Sequence, residues 1–194
     1  MNKIRFRLGG YALALAISAL TAGFLAVGAA SASTTAFAPI KNAAGRQLCL
    51  DVMSEDGLQN DGARLQLYHC TGVSEQKFFS YPVYVGTRPI PGLYTIRPLS
   101  SGAGKCLTPD TNHSAFTGQP VPNGQGAQVV QHSCYDTTQP QLWQAQNWYL
   151  KDNTNEIVNQ YWQTCLDTTG SGTHDHEHVM IWPCNGNLTQ RWIW

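Results

Sequence analysis

The hydrophobic positions of this chain fall into short runs rather than helical periods. Leu65–Tyr68, Tyr94–Ile96, Gln128–Gln131, Glu156–Val158 and Val179–Trp182 each gather β-branched, aromatic or alternating apolar residues over three or four positions. Runs of that length and composition read as strands. Clusters of Gly, Pro, Asn, Asp and Ser separate them, and beyond residue 32 no stretch sustains a long helical period. The pattern predicts an all-β chain of short strands joined by regular turns.

The strands belong to a motif written three times. A Cys with an acidic residue near it is followed, across a variable loop, by a second Cys and then by a Gln-x-aromatic triplet. The copies read CLDV…LQLYHC…EQKF, CLTP…VVQHSC…PQLW and CLDT…VMIWPC…TQRW. The second Cys leads the aromatic by 8 residues from Cys70 to Phe78, 9 from Cys134 to Trp143 and 8 from Cys184 to Trp192. Repeats on this scale are supersecondary units that cannot bury their apolar faces alone. Three of them predict a closed threefold arrangement rather than an open sheet with bare edges. Any site built by one unit can then recur up to three times. Two segments break the regularity: residues 80–93, with Pro82, Pro89 and Pro91, and residues 111–125, rich in Gly, Pro and Asn. Both read as surface insertions, either of merely tolerated length, the plainer reading, or shaping a partner surface.

The N terminus changes the picture of where the protein works. Lys3, Arg5 and Arg7 precede an apolar run from Tyr11 to about Ala26, and Ala30-Ser31-Ala32 offers small residues for cleavage. This is the form of a secretory signal peptide over residues 1–32, leaving a 33–194 domain that is secreted and has no membrane span. The apolar run is short and interrupted by Thr21 and Gly23, unlike a membrane anchor. The whole chain has 12 basic and 12 acidic residues. Loss of the three basic residues of the leader takes the formal charge from 0 to −3. No basic stripe remains, which excludes nucleic acid as a natural partner.

All six Cys lie in the exported part. An even number in an exported chain predicts disulfides, and six Cys allow fifteen pairings. The repeat selects Cys49–Cys70, Cys106–Cys134 and Cys165–Cys184. No Cys-x-x-Cys occurs, so a zinc module has no support. The one other cluster of metal-binding residue types is His174, His176 and His178, interleaved with Asp175 and Glu177. Strict alternation would put three imidazoles on one face of a strand. The plainer expectation is a solvated loop before Val179–Trp182, with His178 nearest any ligand of the third repeat, and with no metal or cofactor.

Cys-Leu-Asp, a β run ending in aromatic-x-Cys, and Gln-x-Trp together resemble the ricin B-type lectin repeat. PIKNAAGRQLCLDV, YTIRPLSSGAGKCLTP and EIVNQYWQTCLDT resemble the strands that open such repeats, so the likeness runs from about Phe37 to Trp194. It implies a β-trefoil of three Cys-bridged repeats, with Phe78, Trp143 and Trp192 in the core. It also implies four elements per sugar site: an Asp two residues after the first Cys, a pocket residue four before the second Cys, an aromatic platform two before it, and the polar pair ahead of the core aromatic. The chemistry suits sugars, because a pyranose packs its C–H face on a ring and its hydroxyls on a carboxylate.

The first repeat supplies Asp51, Gln66, Tyr68 and Gln76, with Glu75 where the family carries Asn. The third supplies Asp167, Met180, Trp182 and Gln190, with Thr189 for the Asn. The second has Thr108 for the Asp, Val130 for the Gln, His132 for the platform and Pro140 beside Gln141, which reads as a site kept for folding. The resemblance therefore implies a secreted, non-catalytic lectin with sugar sites in the first and third repeats. Its partners would be glycans, either galactose-type or polysaccharide. The competing reading is a cell-binding subunit of a secreted toxin, or a protein-interaction or inhibitor β-trefoil, with a toxin or enzyme chain as partner. No nucleophile motif such as Gly-x-Ser-x-Gly appears, so an enzyme is not expected.

Overall fold

The structure, a computed structural model, describes residues 36–45, 47–102, 104–135, 140–151 and 154–194; the expected leader lies outside them. Among the described residues the strands are β1 Lys41–Asn42, β2 Leu48–Val52, β3 Leu65–His69, β4 Phe78–Val85, β5 Arg88–Pro98 and β6 Lys105–Ser114. They continue as β7 Ala127–Ser133, β8 Trp148–Lys151, β9 Glu156–Asn159, β10 Cys165–Thr168, β11 Val179–Trp182 and β12 Trp192–Ile193. A short α-helix, α1 Pro140–Ala145, precedes β8.

Six strands close on themselves. β1 pairs with β12, β4 with β5, β5 with β8, and β8 with β9. The bridges Glu156↔Arg191 and Ala38↔Phe78 join the remaining neighbours, so the ring has no free edge at its centre. The other six strands form three hairpins, β2/β3, β6/β7 and β10/β11, each spanned by a disulfide: Cys49–Cys70, Cys106–Cys134 and Cys165–Cys184. Closing loops of 21, 28 and 19 residues stabilises each hairpin by about 3 kcal/mol on the chain-entropy account. A closed barrel capped by three hairpins is a β-trefoil.

Alternation decides what each hairpin turns inward. Leu48, Leu50 and Val52 of β2 and Leu65 and Leu67 of β3 join the core, as do Leu107, Val129, Leu166, Val179 and Ile181 of the other hairpins. With a side-chain period of two, the intervening residues face the opposite side. Those residues are Cys49, Asp51, Gln66 and Tyr68 in the first hairpin and Cys165, Asp167, Met180 and Trp182 in the third. The hairpins share one register. Cys49 stands opposite Tyr68 and Asp51 opposite Gln66; Cys165 stands opposite Trp182 and Asp167 opposite Met180. In the second hairpin the same places hold Cys106 opposite His132 and Thr108 opposite Val130.

The core aromatics require one correction. Phe78, Trp148 and Trp192 are buried, and the two indoles donate to equivalent carbonyls, Trp148 Nε1 to Leu107 O and Trp192 Nε1 to Leu166 O, both at 3.0 Å. Trp143 is only half-buried, on α1. The triplet of the second repeat is therefore Gln146-Asn147-Trp148 and not Gln141-Leu142-Trp143. The glutamines prove the alignment. Gln76, Gln146 and Gln190 are buried; each accepts the amide of the residue after the second Cys, at 2.7–2.8 Å, and donates to the carbonyl of the residue before it, at 2.9–3.0 Å. Cys134 leads Trp148 by 14 residues, six more than the 8 of the other repeats, and α1 is six residues long. The helix is the insertion.

Residues 80–93, expected as an insertion loop, are mostly strand: β4 and β5 pair from Phe78↔Pro98 to Val85↔Arg88. Pro82 is tolerated because β4 lies at the sheet's edge and the register shifts between Pro82 and Tyr84. Much of residues 111–125 is turn, but β6 runs on to Ser114.

Truncating a buried aromatic here should cost about 3–5 kcal/mol. Urea denaturation of Trp148→Ala and Trp192→Ala is expected to show losses of that size, with Trp143→Ala losing much less. A Trp143→Ala variant as destabilised as Trp148→Ala would contradict the revised alignment.

Candidate functional site

The outer face of the first hairpin builds a pocket of about 320 Å³. Asp51 and Gln66 form its floor, each almost fully buried, and Gln66 donates Nε2 to Asp51 Oδ1 at 3.0 Å. Half-buried Tyr68 lines the wall, and Glu55 and Glu75 stand at the rim. Burial is the largest influence on the Asp51 carboxyl and raises it above the ordinary carboxylate value; Glu75 and Glu55 push the same way, against the hydrogen bonds from Gln66 and Gln76.

A residue from the third repeat completes this pocket. His176 Nδ1 meets Gln66 Oε1 at 3.0 Å, and its ring lies edge-on to Tyr68 with centroids 5.1 Å apart. With its Nδ1 hydrogen bonded to Gln66, His176 fixes the orientation of the amide, and the amide in turn fixes Asp51. The loop that carries it is docked along β3. His176 N–H donates to Leu67 O, Leu67 N–H donates to Glu177 O, and Asp175 accepts from His69 N–H at 2.7 Å. His176 adopts φ 65°, a left-handed conformation that costs a non-glycine residue about 1 kcal/mol. Glu177 braces the turn behind it, accepting amides from Gly172, Thr173 and His174. Burial alone would raise that carboxyl, but those bonds outweigh it and hold Glu177 below the ordinary range.

The third hairpin presents Asp167, Met180 and Trp182 in the same register. Asp167 is buried; its Oδ1 accepts Thr168 N–H and its Oδ2 accepts Gln190 Nε2–H, both at 2.8 Å. Met180 is buried and makes the floor that Gln66 makes in the first hairpin. Trp182 is half-buried, with the ring of Phe116 edge-on at 5.8 Å. Gly126 turns the chain beside these rings at φ 84°, a left-handed conformation that favours glycine.

Gln76 and Gln190 were expected to touch sugar. They lie at 1% and 0% exposure with their amides bonded to backbone groups, Gln76 also to Asp51 and Gln190 also to Asp167. The histidines part company. His174 stays exposed beside Glu177, His176 enters the first pocket, and His178 meets Gln128 Oε1 at 2.9 Å. His178, expected nearest a ligand of the third repeat, stands two residues before Met180 and lines a cavity with Arg64, Gln128 and Phe116, the ring that packs on Trp182. Burial is the main reason its ring titrates below the ordinary histidine value, with the Arg64 charge adding to it. Among the described residues no three His, Cys, Asp or Glu side chains gather as a metal site. Sequence reasoning missed His176 because alternation supposes an extended strand, and the left-handed residue breaks it.

Because Asp51 titrates above its unfolded value, the native state binds that proton more tightly. The charge costs nothing below the ordinary carboxylate value and costs most above the raised one, so its penalty grows as pH rises between them. Asp51→Asn should melt at or above the parent at pH 7, the two converging as pH falls; an Asn variant melting clearly below the parent at pH 7 would contradict this environment.

Comparison with known proteins agrees with the geometry. The model of the ricin-type beta-trefoil lectin domain matches residues 36–192. A designed three-fold symmetric protein, ThreeFoil, superposes with TM-score 0.61 at 23% identity, covering 80% of this chain and 95% of its own. The exo-beta-1,3-galactanase 1,3Gal43A from Clostridium thermocellum gives TM-score 0.61 at 19% identity, over 83% of this chain and 30% of the galactanase. The β-trefoil lectin of the Vibrio vulnificus hemolysin/cytolysin, solved with N-acetyl-D-lactosamine bound, gives 0.56 at 18% identity, over 83% and 94%. No curated protein matches the chain.

Proposed function

The chain belongs to the ricin-type β-trefoil lectin family, and we propose that it acts as a secreted, non-catalytic carbohydrate-binding protein whose first and third repeats each hold a sugar. The observation that carries this reading is the Asp51–Gln66–His176 chain of hydrogen bonds beneath the Tyr68 ring. It is an oriented acceptor beside an apolar plate, which is what a pyranose requires. Asp51 accepts from neighbouring sugar hydroxyls while the C–H face lies on Tyr68. Asp167 and Trp182 do the same in the third repeat, with Gln190 holding the carboxylate and Met180 offering apolar contact. Galactose-type ligands are supported by the resemblance and by the N-acetyl-D-lactosamine bound to the Vibrio lectin. Secretion is supported by the leader-like residues 1–32 and by three disulfides.

Each shallow site would bind in the millimolar range, about 4 kcal/mol. Two on one rigid body gain by avidity on a polymer or a cell surface. A partner chain, as in a toxin, is the second reading; the β4/β5 hairpin supports it by exposing Tyr81, Tyr84 and Val85.

Titration with a galactose-type oligosaccharide should lose one bound sugar per chain in Asp51→Ala and one in Asp167→Ala, each substitution costing about 2–3 kcal/mol at its own site. His176→Ala should weaken the first site alone, by about tenfold, the worth of one hydrogen bond. First-site affinity should also fall as pH is lowered through the raised Asp51 range, since the protonated carboxyl loses its charge-assisted bonds. Unchanged stoichiometry in both Asp variants sinks the proposal.

A further inference from the structure

We propose that the second repeat carries a glycan site of its own, built from residues outside the sequence motif and suited to neutral rather than acidic sugars; the inference rests on the carbohydrate reading of the other two repeats. By the motif this hairpin is empty, with Thr108 opposite Val130 and His132 opposite Cys106. Yet a cavity of about 530 Å³ opens over it, larger than the first-repeat pocket of about 320 Å³ and within the usual span of ligand sites.

Each lost element returns from a shifted position. The carboxylate is Asp110, two residues along β6 from Thr108 and therefore on the same face, about 7 Å further on. It is held in place by Asn112 N–H at 3.0 Å and His113 Nδ1 at 2.6 Å. The ring is Tyr135, just past Cys134. It stacks on His132 with centroids 4.9 Å apart and an interplanar angle of 22°, and its hydroxyl lies 3.2 Å from His132 Nε2. Gln146 pins Tyr135 through its backbone amide at 2.7 Å. The turn after β9 adds Tyr161, exposed, and Trp162, which leans on the core. Ala145 at the end of α1 also lines the cavity, so the insertion that displaced the core triplet reaches it through that residue.

Aromatic rings beside a fixed carboxylate and the Thr108 hydroxyl give the pairing of apolar plate and acceptors that a pyranose uses. The charges decide which sugars. Asp61 and Asp110 both line the cavity, and among the described residues neither Lys nor Arg does. Lys105 is already committed to Asp61 and Ser133. A uronate, sialate or sulfated sugar would meet like charge there.

The test is a glycan array holding neutral oligosaccharides and their sialylated or uronate-bearing counterparts. It is probed with the oxidised parent, the Asp51→Ala/Asp167→Ala double variant, and that variant with Tyr161→Ala or Tyr135→Ala added. Thermal melting of every variant serves as the control for folding. The double variant should still bind a set of neutral glycans, their acidic counterparts at least about tenfold more weakly, and either added substitution should lower the remaining signal by about tenfold or more. A blank double variant beside a binding parent overturns this site and leaves the first and third standing. Residual binding indifferent to both Tyr substitutions overturns it too. A parent that binds no glycan overturns the carbohydrate reading itself.

Discussion

Gln128 joins the three hairpins through one nitrogen. Its Nε2 lies 3.0 Å from Leu65 O, 3.2 Å from Val129 O and 2.9 Å from Val179 O, three carbonyls that stand at the same place in their repeats, five residues before the second Cys. An amide buried at the meeting of three strands must be satisfied, so each hairpin is held to a fixed depth. The flanking residues complete the ring: Arg64 takes Asp56 in a two-pronged pair, and His178 takes the oxygen of Gln128. Strand pleating then carries this order outward. Two residues on come Gln66, Val130 and Met180, and two further on come Tyr68, His132 and Trp182, each opposite the first Cys of its disulfide. The sites are thus the outer face of a construction whose inner face is the core.

That coupling explains why core and site separate so cleanly along the sequence. Leu50 and Leu166 lie inside, while their neighbours Asp51 and Asp167 lie outside at nearly equal burial. Both carboxylates are largely shielded from solvent, and both are held by a side-chain amide, Gln66 in one case and Gln190 in the other. Asp51 and Asp167 each take a bond from the glutamine ahead of their own core aromatic, Gln76 and Gln190. Asp51 takes a second from Gln66, which His176 orients from another repeat.

Much of this was legible in the residues. The threefold repeat marked the three disulfides, and the resemblance to the ricin B-type repeat singled out Asp51, Tyr68, Asp167 and Trp182. The failures have physical causes. PQLW imitates the triplet that really follows in Gln146-Asn147-Trp148, because a helical turn inserted between Cys134 and the core leaves two Gln-x-Trp sequences in tandem; only burial tells them apart. The proline-bearing segment 80–93 pairs as strand because an edge can spare the missing donor at Pro82. His176 was hidden because its role depends on a left-handed residue and on a strand 110 positions away in the chain. The cavity over the second repeat was hidden for a related reason. Its parts come from β6, the residue after Cys134, α1 and the turn after β9, and no single stretch of sequence contains the pattern.

The claim at the centre of this account is that the outer faces of the bridged hairpins are where sugar is held. A crystal structure of the oxidised protein soaked in N-acetyl-D-lactosamine tests it most directly. The account predicts a pyranose lying on the Tyr68 ring with adjacent hydroxyls on Asp51, and a second on Trp182 with hydroxyls on Asp167. Sugar density confined to the β4/β5 hairpin, with both aspartates left uncontacted, would contradict it.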